Sequence, residues 1–189
     1  ENAAYYTAAG TFYVAPIGSL DEDPVPWRQV AGLEDQVRQV AIHGDHLYLL
    51  SFKDAPRSKV LRCSLQEPDL ESAETVWPES EAIVEDIVAA RDGLYLENVE
   101  AGASRLYRID HATLRAEAIV LPPDESAYLQ VGDVLHDGVL FKASAWTQSP
   151  ALMAYRPGQK RPTDTGLMAP VAVDMSGIEV LRVDVPSHD

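Results

Sequence analysis

Short runs in which apolar and polar residues alternate follow one another along most of the chain, and Gly, Pro and Asp break them. A period of two is the mark of half-buried strands. No stretch sustains the i, i+3, i+4, i+7 spacing of an amphipathic helix. Residues 42–50, "IHGDHLYLL", read as an apolar residue, a tight turn and an apolar strand. The pattern returns as "ARDGLYLEN" at 90–98 and "LHDGVLFKA" at 135–143. Asp-Gly between apolar runs is a hairpin signal, because both turn residues accept positive φ.

The recurrence has a fixed period. Gly44, Gly93 and Gly138 lie 49 and 45 residues apart. The following strands, Leu47-Tyr48-Leu49, Leu94-Tyr95-Leu96 and Val139-Leu140-Phe141, lie 47 and 45 apart. A next run, starting at Val60, Leu106 and Leu152, repeats every 46 residues. A fourth run, "ETVWP" at 74–78, returns as "AIVLP" at 118–122 and is weak in the third copy. Four strands in about 46 residues match one β-propeller blade. A β-sandwich also has many short strands, but it predicts no fixed period.

The predicted fold is therefore all-β, a β-propeller of four-stranded antiparallel blades. Residues 1–36 form a partial blade with three strands, "AAYYTA", "TFYVAPIG" and "PVPWRQVAG". Residues 37–82, 83–127 and 128–175 form one blade each. Residues 176–189 hold an isolated strand, "GIEVLRVDVP", as a linker. About four blades is near the lower limit for a closed ring.

Charge narrows the partners. Acidic residues number 30 against 15 Lys plus Arg, a net charge of −15. Such a surface repels phosphate backbones and anionic membranes, so neither nucleic acid nor membrane is an expected partner. No apolar run reaches the length of a membrane span. No basic-then-apolar leader opens the sequence. The expected compartment is the cytoplasm, or the periplasm if an upstream leader has been removed. The single cysteine, Cys63, sits in the alternating run "KVLRCSL" and reads as a buried structural thiol.

Candidate chemistry is sparse. His43 and His46 flank Asp45, but a turn presents no common ligand face, so they read as a solvated turn. Asp21, Glu22 and Asp23 lack the oxygen spacing and glycine of a calcium loop. No Gly-x-Ser-x-Gly elbow is present; Gly102-Ala103-Ser104 continues into Arg105 and Leu106. No metal or cofactor is expected. A lactonase-like or lyase-like propeller enzyme would need ligands on the innermost strands. Those strands offer Gln39, Glu85, Asp86, Gln130 and Asp133, without the His and Asn such a site requires.

"TFYVAPI", "WRQVAG" and "LYLLSFKDAPRSKVLRCSL", in this order and at blade spacing, resemble the propeller of the prolyl oligopeptidase family of serine peptidases. "GIEVLRVDVPSHD" is similar to that family's crossing from propeller to peptidase domain. The resemblance implies the second half of a seven-bladed propeller whose tunnel admits short peptides to an α/β-hydrolase domain. The implied partners are that peptidase domain and a short proline-containing peptide; the chain alone would have no peptidase activity. It further implies that the loops between second and third strands, 53–58, 100–104 and 144–149, face the peptidase. Asp54 and Arg57 are candidates there for interdomain ion pairs, and Trp146 and Gln148 for interface or substrate contact. The competing reading is an autonomous protein-binding propeller. Open blade edges would also invite self-association.

Overall fold

The computed structural model describes residues 3–8, 10–122 and 125–169, with single positions 171, 177, 178, 180, 181 and 183 beyond. Half of "GIEVLRVDVP", positions 179, 182 and 184–186, lies outside the described residues. The described residues form fifteen strands and no α-helix; Ile17–Ser19 and Leu33–Asp35 are single 3-10 turns.

Four antiparallel sheets follow one another along the chain. The first has three strands, β1 (Ala3–Ala8), β2 (Thr11–Pro16) and β3 (Arg28–Ala31), in that order. The second holds β4 (Val37–His43), β5 (His46–Ser51), β6 (Lys59–Ser64) and β7 (Glu74–Trp77). The third holds β8 (Ile83–Ala90), β9 (Gly93–Glu100), β10 (Ala103–Ile109) and β11 (Ala116–Ala118). The fourth holds β12 (Ser126–Gly132), β13 (Val139–Ala145), β14 (Gln148–Tyr155) and β15 (Thr163–Asp164). Each is a simple meander, as the repeated pattern predicts. The weak fourth run of the last unit is a strand of only two residues.

The cores lie between sheets. Leu47 and Leu49 of β5 pack with Phe12, Val14 and Val30 of the first sheet. Tyr48 and Leu50, on the opposite face of β5, pack with Val84, Ile87, Leu94 and Leu96 of the third. Tyr95 and Leu106 then join Leu129, Phe141 and Tyr155 of the fourth. Side chains alternate faces along a strand, so a strand sandwiched between two neighbours is apolar at every position. This is why Leu47, Tyr48, Leu49 and Leu50 are all fully buried. Burying each such leucine stabilises the array by about 1.5–3 kcal/mol.

The innermost strands are stitched together. The Gln39 side-chain amide donates to the Ile87 carbonyl at 2.9 Å and accepts the Ile87 N–H at 3.3 Å. It thereby imitates a backbone pair between β4 and β8. Arg38 donates to the Val84 carbonyl at 3.1 Å and pairs with Glu85 at 3.4 Å. One register further on, the buried Glu97 carboxylate accepts the Leu129 N–H at 2.9 Å.

The turns differ in one respect from the sequence expectation. Gly93 is not in the left-handed region. The turn is Arg91-Asp92, and Gly93 already belongs to β9. It is required for space, since a Cβ there would lie 2.7 Å from the Ile109 carbonyl oxygen. The third recurrence is no two-residue hairpin either: 133–138 is a longer loop closed by Gly138 at φ +96°.

Candidate docking face

Because every sheet is a meander, its connections alternate between two ends of the array. One end carries the turns from second to third strand and the connections into the next sheet. The other carries the first turn and the last turn of each sheet.

At the first end, residues 52–58 form the one extended second-to-third connection among the described residues. The Phe52 N–H donates to the Gln36 carbonyl at 3.0 Å and the Ser51 hydroxyl to the Asp35 carbonyl at 2.7 Å. Buried Ala55 and Ser58 anchor the loop from beneath. Asp54, at φ +52°, is exposed at its outer bend. Arg57 pairs with Glu81 at 2.7 Å, its N–H reaches Glu79 at 2.8 Å, and its carbonyl accepts the Val84 N–H at 3.1 Å. Its charge thus fastens the second sheet to the entry of the third, within this chain. The other two connections are tight hairpins. Ala101-Gly102 takes positive φ at both positions, and Trp146-Thr147 is closed by the Ala145–Gln148 pair. Gln148 is exposed, and Trp146 stands 85% exposed at the hairpin tip. Leu33 and Phe52 are also exposed at this end.

The opposite end is a polar lattice between sheets. The imidazole of His111, on the β10–β11 turn, lies between the second and third sheets. Its Nε2 donates to the Ala90 carbonyl at 2.9 Å, so its Nδ1 accepts the Tyr48 hydroxyl at 2.7 Å. Burial, foremost, and then neighbouring His43 lower its pKa to about 4. Arg62 donates to the His111 carbonyl at 2.7 Å and pairs with Glu74 at 2.6 Å. Arg91 and Asp137 make a two-pronged ion pair at 2.7 and 2.8 Å across the next seam. Exposed Ile17, Leu20 and Leu135 sit on the β2–β3 and β12–β13 loops of this end.

His43 departs from the expectation of a solvated turn. Its ring stacks on His111 with centroids 3.6 Å apart and planes 11° from parallel. The partner lies in the next repeat, so local sequence carried no signal for it. Among the described residues no His, Cys, Asp and Glu side chains converge as metal ligands. Of the innermost polar residues, Gln39 engages Ile87, Glu85 engages Arg38, Gln130 engages the Leu129 carbonyl and Asp133 engages His136 at 2.7 Å, whereas one buried carboxylate oxygen of Asp86 has no hydrogen-bond partner. Burial raises the Cys63 thiol pKa, which keeps it protonated.

The arrangement of sheets is similar to that in solved oligopeptidase structures. A prolyl endopeptidase superposes at a TM-score of 0.71 and 18% identity, over 86% of this chain and 24% of its own. Oligopeptidase B from Leishmania major gives 0.75 at 17% identity, over 92% and 28%. The shared fold is the β-propeller. Prolyl oligopeptidase B from Galerina marginata gives 0.68 at 16% identity, over 93% and 26%. This propeller chain spans about a quarter of the length of those structures. No family model matches the sequence, and no curated protein matches it.

Proposed function

We propose that the chain is the non-catalytic propeller portion of a prolyl-oligopeptidase-like serine peptidase, gating the access of short proline-containing peptides to an α/β-hydrolase domain. The observation that carries this reading is the superposition of nearly the whole chain on about a quarter of each oligopeptidase. The end bearing Leu33, Phe52 and Trp146 is the face on which the hydrolase domain docks. Exposed large apolar side chains there gain by being covered, and an exposed Trp is a favoured anchor of protein contacts. The physical role is exclusion: a channel walled by strands passes an extended peptide and rejects a folded protein.

The test is to read the gene on both sides of this segment and assay the encoded protein on proline-containing peptides of increasing length. Cleavage of short peptides but not of folded proteins is expected. A reading frame encoding no serine hydrolase domain overturns the proposal.

A further inference from the structure

Gln39 and Asp86 occupy the same place in successive sheets. Each follows a one-residue bulge in an innermost strand, Gln39 after Arg38 in β4 and Asp86 after Glu85 in β8. The Gln39 amide puts one donor and one acceptor on Ile87 and so stitches β4 to β8. Asp86 carries a carboxyl group instead, and one of its oxygens is buried with no hydrogen-bond partner. Its partner across the ladder is Glu97 of β9, which is 6% exposed. Directly opposed residues project from one face with β-carbons about 4.5–5.5 Å apart. Two acids thus lie side by side where the neighbouring seam has an amide. Glu97 is also the group that reaches the fourth sheet, since its Oε2 accepts the Leu129 N–H of β12 at 2.9 Å.

Among the described residues no cation pairs with either acid. Glu85 of β8 adds a third carboxylate, and Arg38 of β4 pairs with Glu85 at 3.4 Å. Ser104 of β10 and the Leu129 N–H give Glu97 neutral donors. Gln130 of β12 donates to the Leu129 carbonyl at 2.8 Å. Arg105 of β10 lies opposite Asn98, so it projects from the other face, and it donates to the Glu125 carbonyl at 2.6 Å. We propose that Asp86 and Glu97 hold one proton between them, and that this proton latches the third sheet to the fourth. A carboxyl group is a donor only when protonated, and an O–H between the two acids supplies the donor that the Asp86 oxygen lacks. Like charges sharing a site out of water do not ionise together. Burial, foremost, raises the Glu97 pKa, and the Asp86 and Glu85 charges add to the rise. When the proton leaves, two adjoining charges repel, and one of them is the acid bonded to Leu129. The seam stitched by Gln39 has no such dependence, because an amide carries its donor at every pH.

In an opened seam both acids ionise above about pH 5, so the closed seam carries the extra proton and is favoured at lower pH. The test is amide hydrogen exchange of the 189-residue chain between about pH 5 and 9, with rates corrected for the intrinsic effect of pH. Protection of the Leu129 N–H relative to the Ile87 N–H is expected to fall by up to about tenfold per pH unit while the closed seam holds its proton. In Glu97→Gln, which keeps the acceptor and brings its own donor, the ratio is expected not to change with pH. Infrared spectra at neutral pH supply a second readout: a protonated-carboxyl C=O band in the native chain, absent from both Asp86→Asn and Glu97→Gln. A pH-independent ratio in the native chain overturns the proposal. So does a missing band, or a band that survives in either variant, because the proton would then be absent or belong to one acid alone.

Discussion

The Asp92 carboxylate accepts the backbone N–H of Gly138 at 2.6 Å, across the seam between the third and fourth sheets. Its second oxygen accepts the Arg108 guanidinium at 2.5 Å and the Tyr95 hydroxyl at 2.9 Å. One side chain thus closes its own turn, holds a cation whose side chain is only 13% exposed, and ties in the next blade.

Removing that carboxylate takes from Arg108 its nearest anionic partner and leaves only the longer pairs with Asp110 at 3.6 Å and Glu117 at 3.9 Å. Asp92→Ala is expected to destabilise the chain by about 3–5 kcal/mol, the usual cost of breaking one partner out of a buried ion pair. Urea unfolding measures it. A loss below about 1 kcal/mol would mean that Arg108 finds other acceptors, Asp110 and Glu117 being the candidates.

His111 predicts acid sensitivity. Its folded pKa, about 4, lies below the ordinary histidine value of about 6.5. The unfolded chain therefore takes up the proton first. Stability is complete above about pH 6.5 and falls as pH drops towards 4, by up to about 3 kcal/mol. Protonation of Nδ1 also removes the acceptor of the Tyr48 hydroxyl and places a cation beside Arg62. His46 is shifted the same way, by burial first and then by Arg62, so His111→Asn should flatten most but not all of the slope in a stability–pH profile.

Glu97 has the opposite sign. Burial, its largest influence, raises its pKa, against the bonds from Leu129 and Ser104. The folded state therefore disfavours the charged form, and this destabilisation disappears as pH falls through the raised pKa. Glu97→Gln keeps an acceptor for the Leu129 N–H without the charge. It is expected to raise the melting temperature at neutral pH and to have little effect at pH 4. An equal change at both values would exclude a charge effect.

Two glycines at equivalent turns should differ in cost. At Gly138 a Cβ would lie 2.1 Å from the Tyr155 carbonyl oxygen, at φ +96°. At Gly44, φ +56°, a Cβ meets nothing within 4 Å. Gly138→Ala is expected to cost more than about 2 kcal/mol, and Gly44→Ala about 1 kcal/mol. Parallel thermal melts decide between them.

The repeat was legible because its signals are local. Asp92-Gly93 and Leu94-Tyr95-Leu96 state a turn and a doubly buried strand within a few residues. The contacts between sheets were not legible, because their partners lie about one repeat apart: His43 on His111, Gln39 on Ile87, Asp92 on Gly138. Polarity alone makes Asp92 an ordinary turn residue, and only packing shows that it holds Arg108. For Arg57 the sequence raised an ion pair to another domain; the partners it has here, Glu79 and Glu81, sit in the same chain's connection to the next sheet.

The two-faced strands also fix how the molecule comes apart. Leu47 and Leu49 look one way and Tyr48 and Leu50 the other, so no blade owns a core. The array behaves as a row of nearest neighbours. Losing a terminal blade forfeits one seam, and losing an inner blade forfeits two. Unfolding should begin at the ends and move inward, leaving the seam between β5 and β9 as the last to melt.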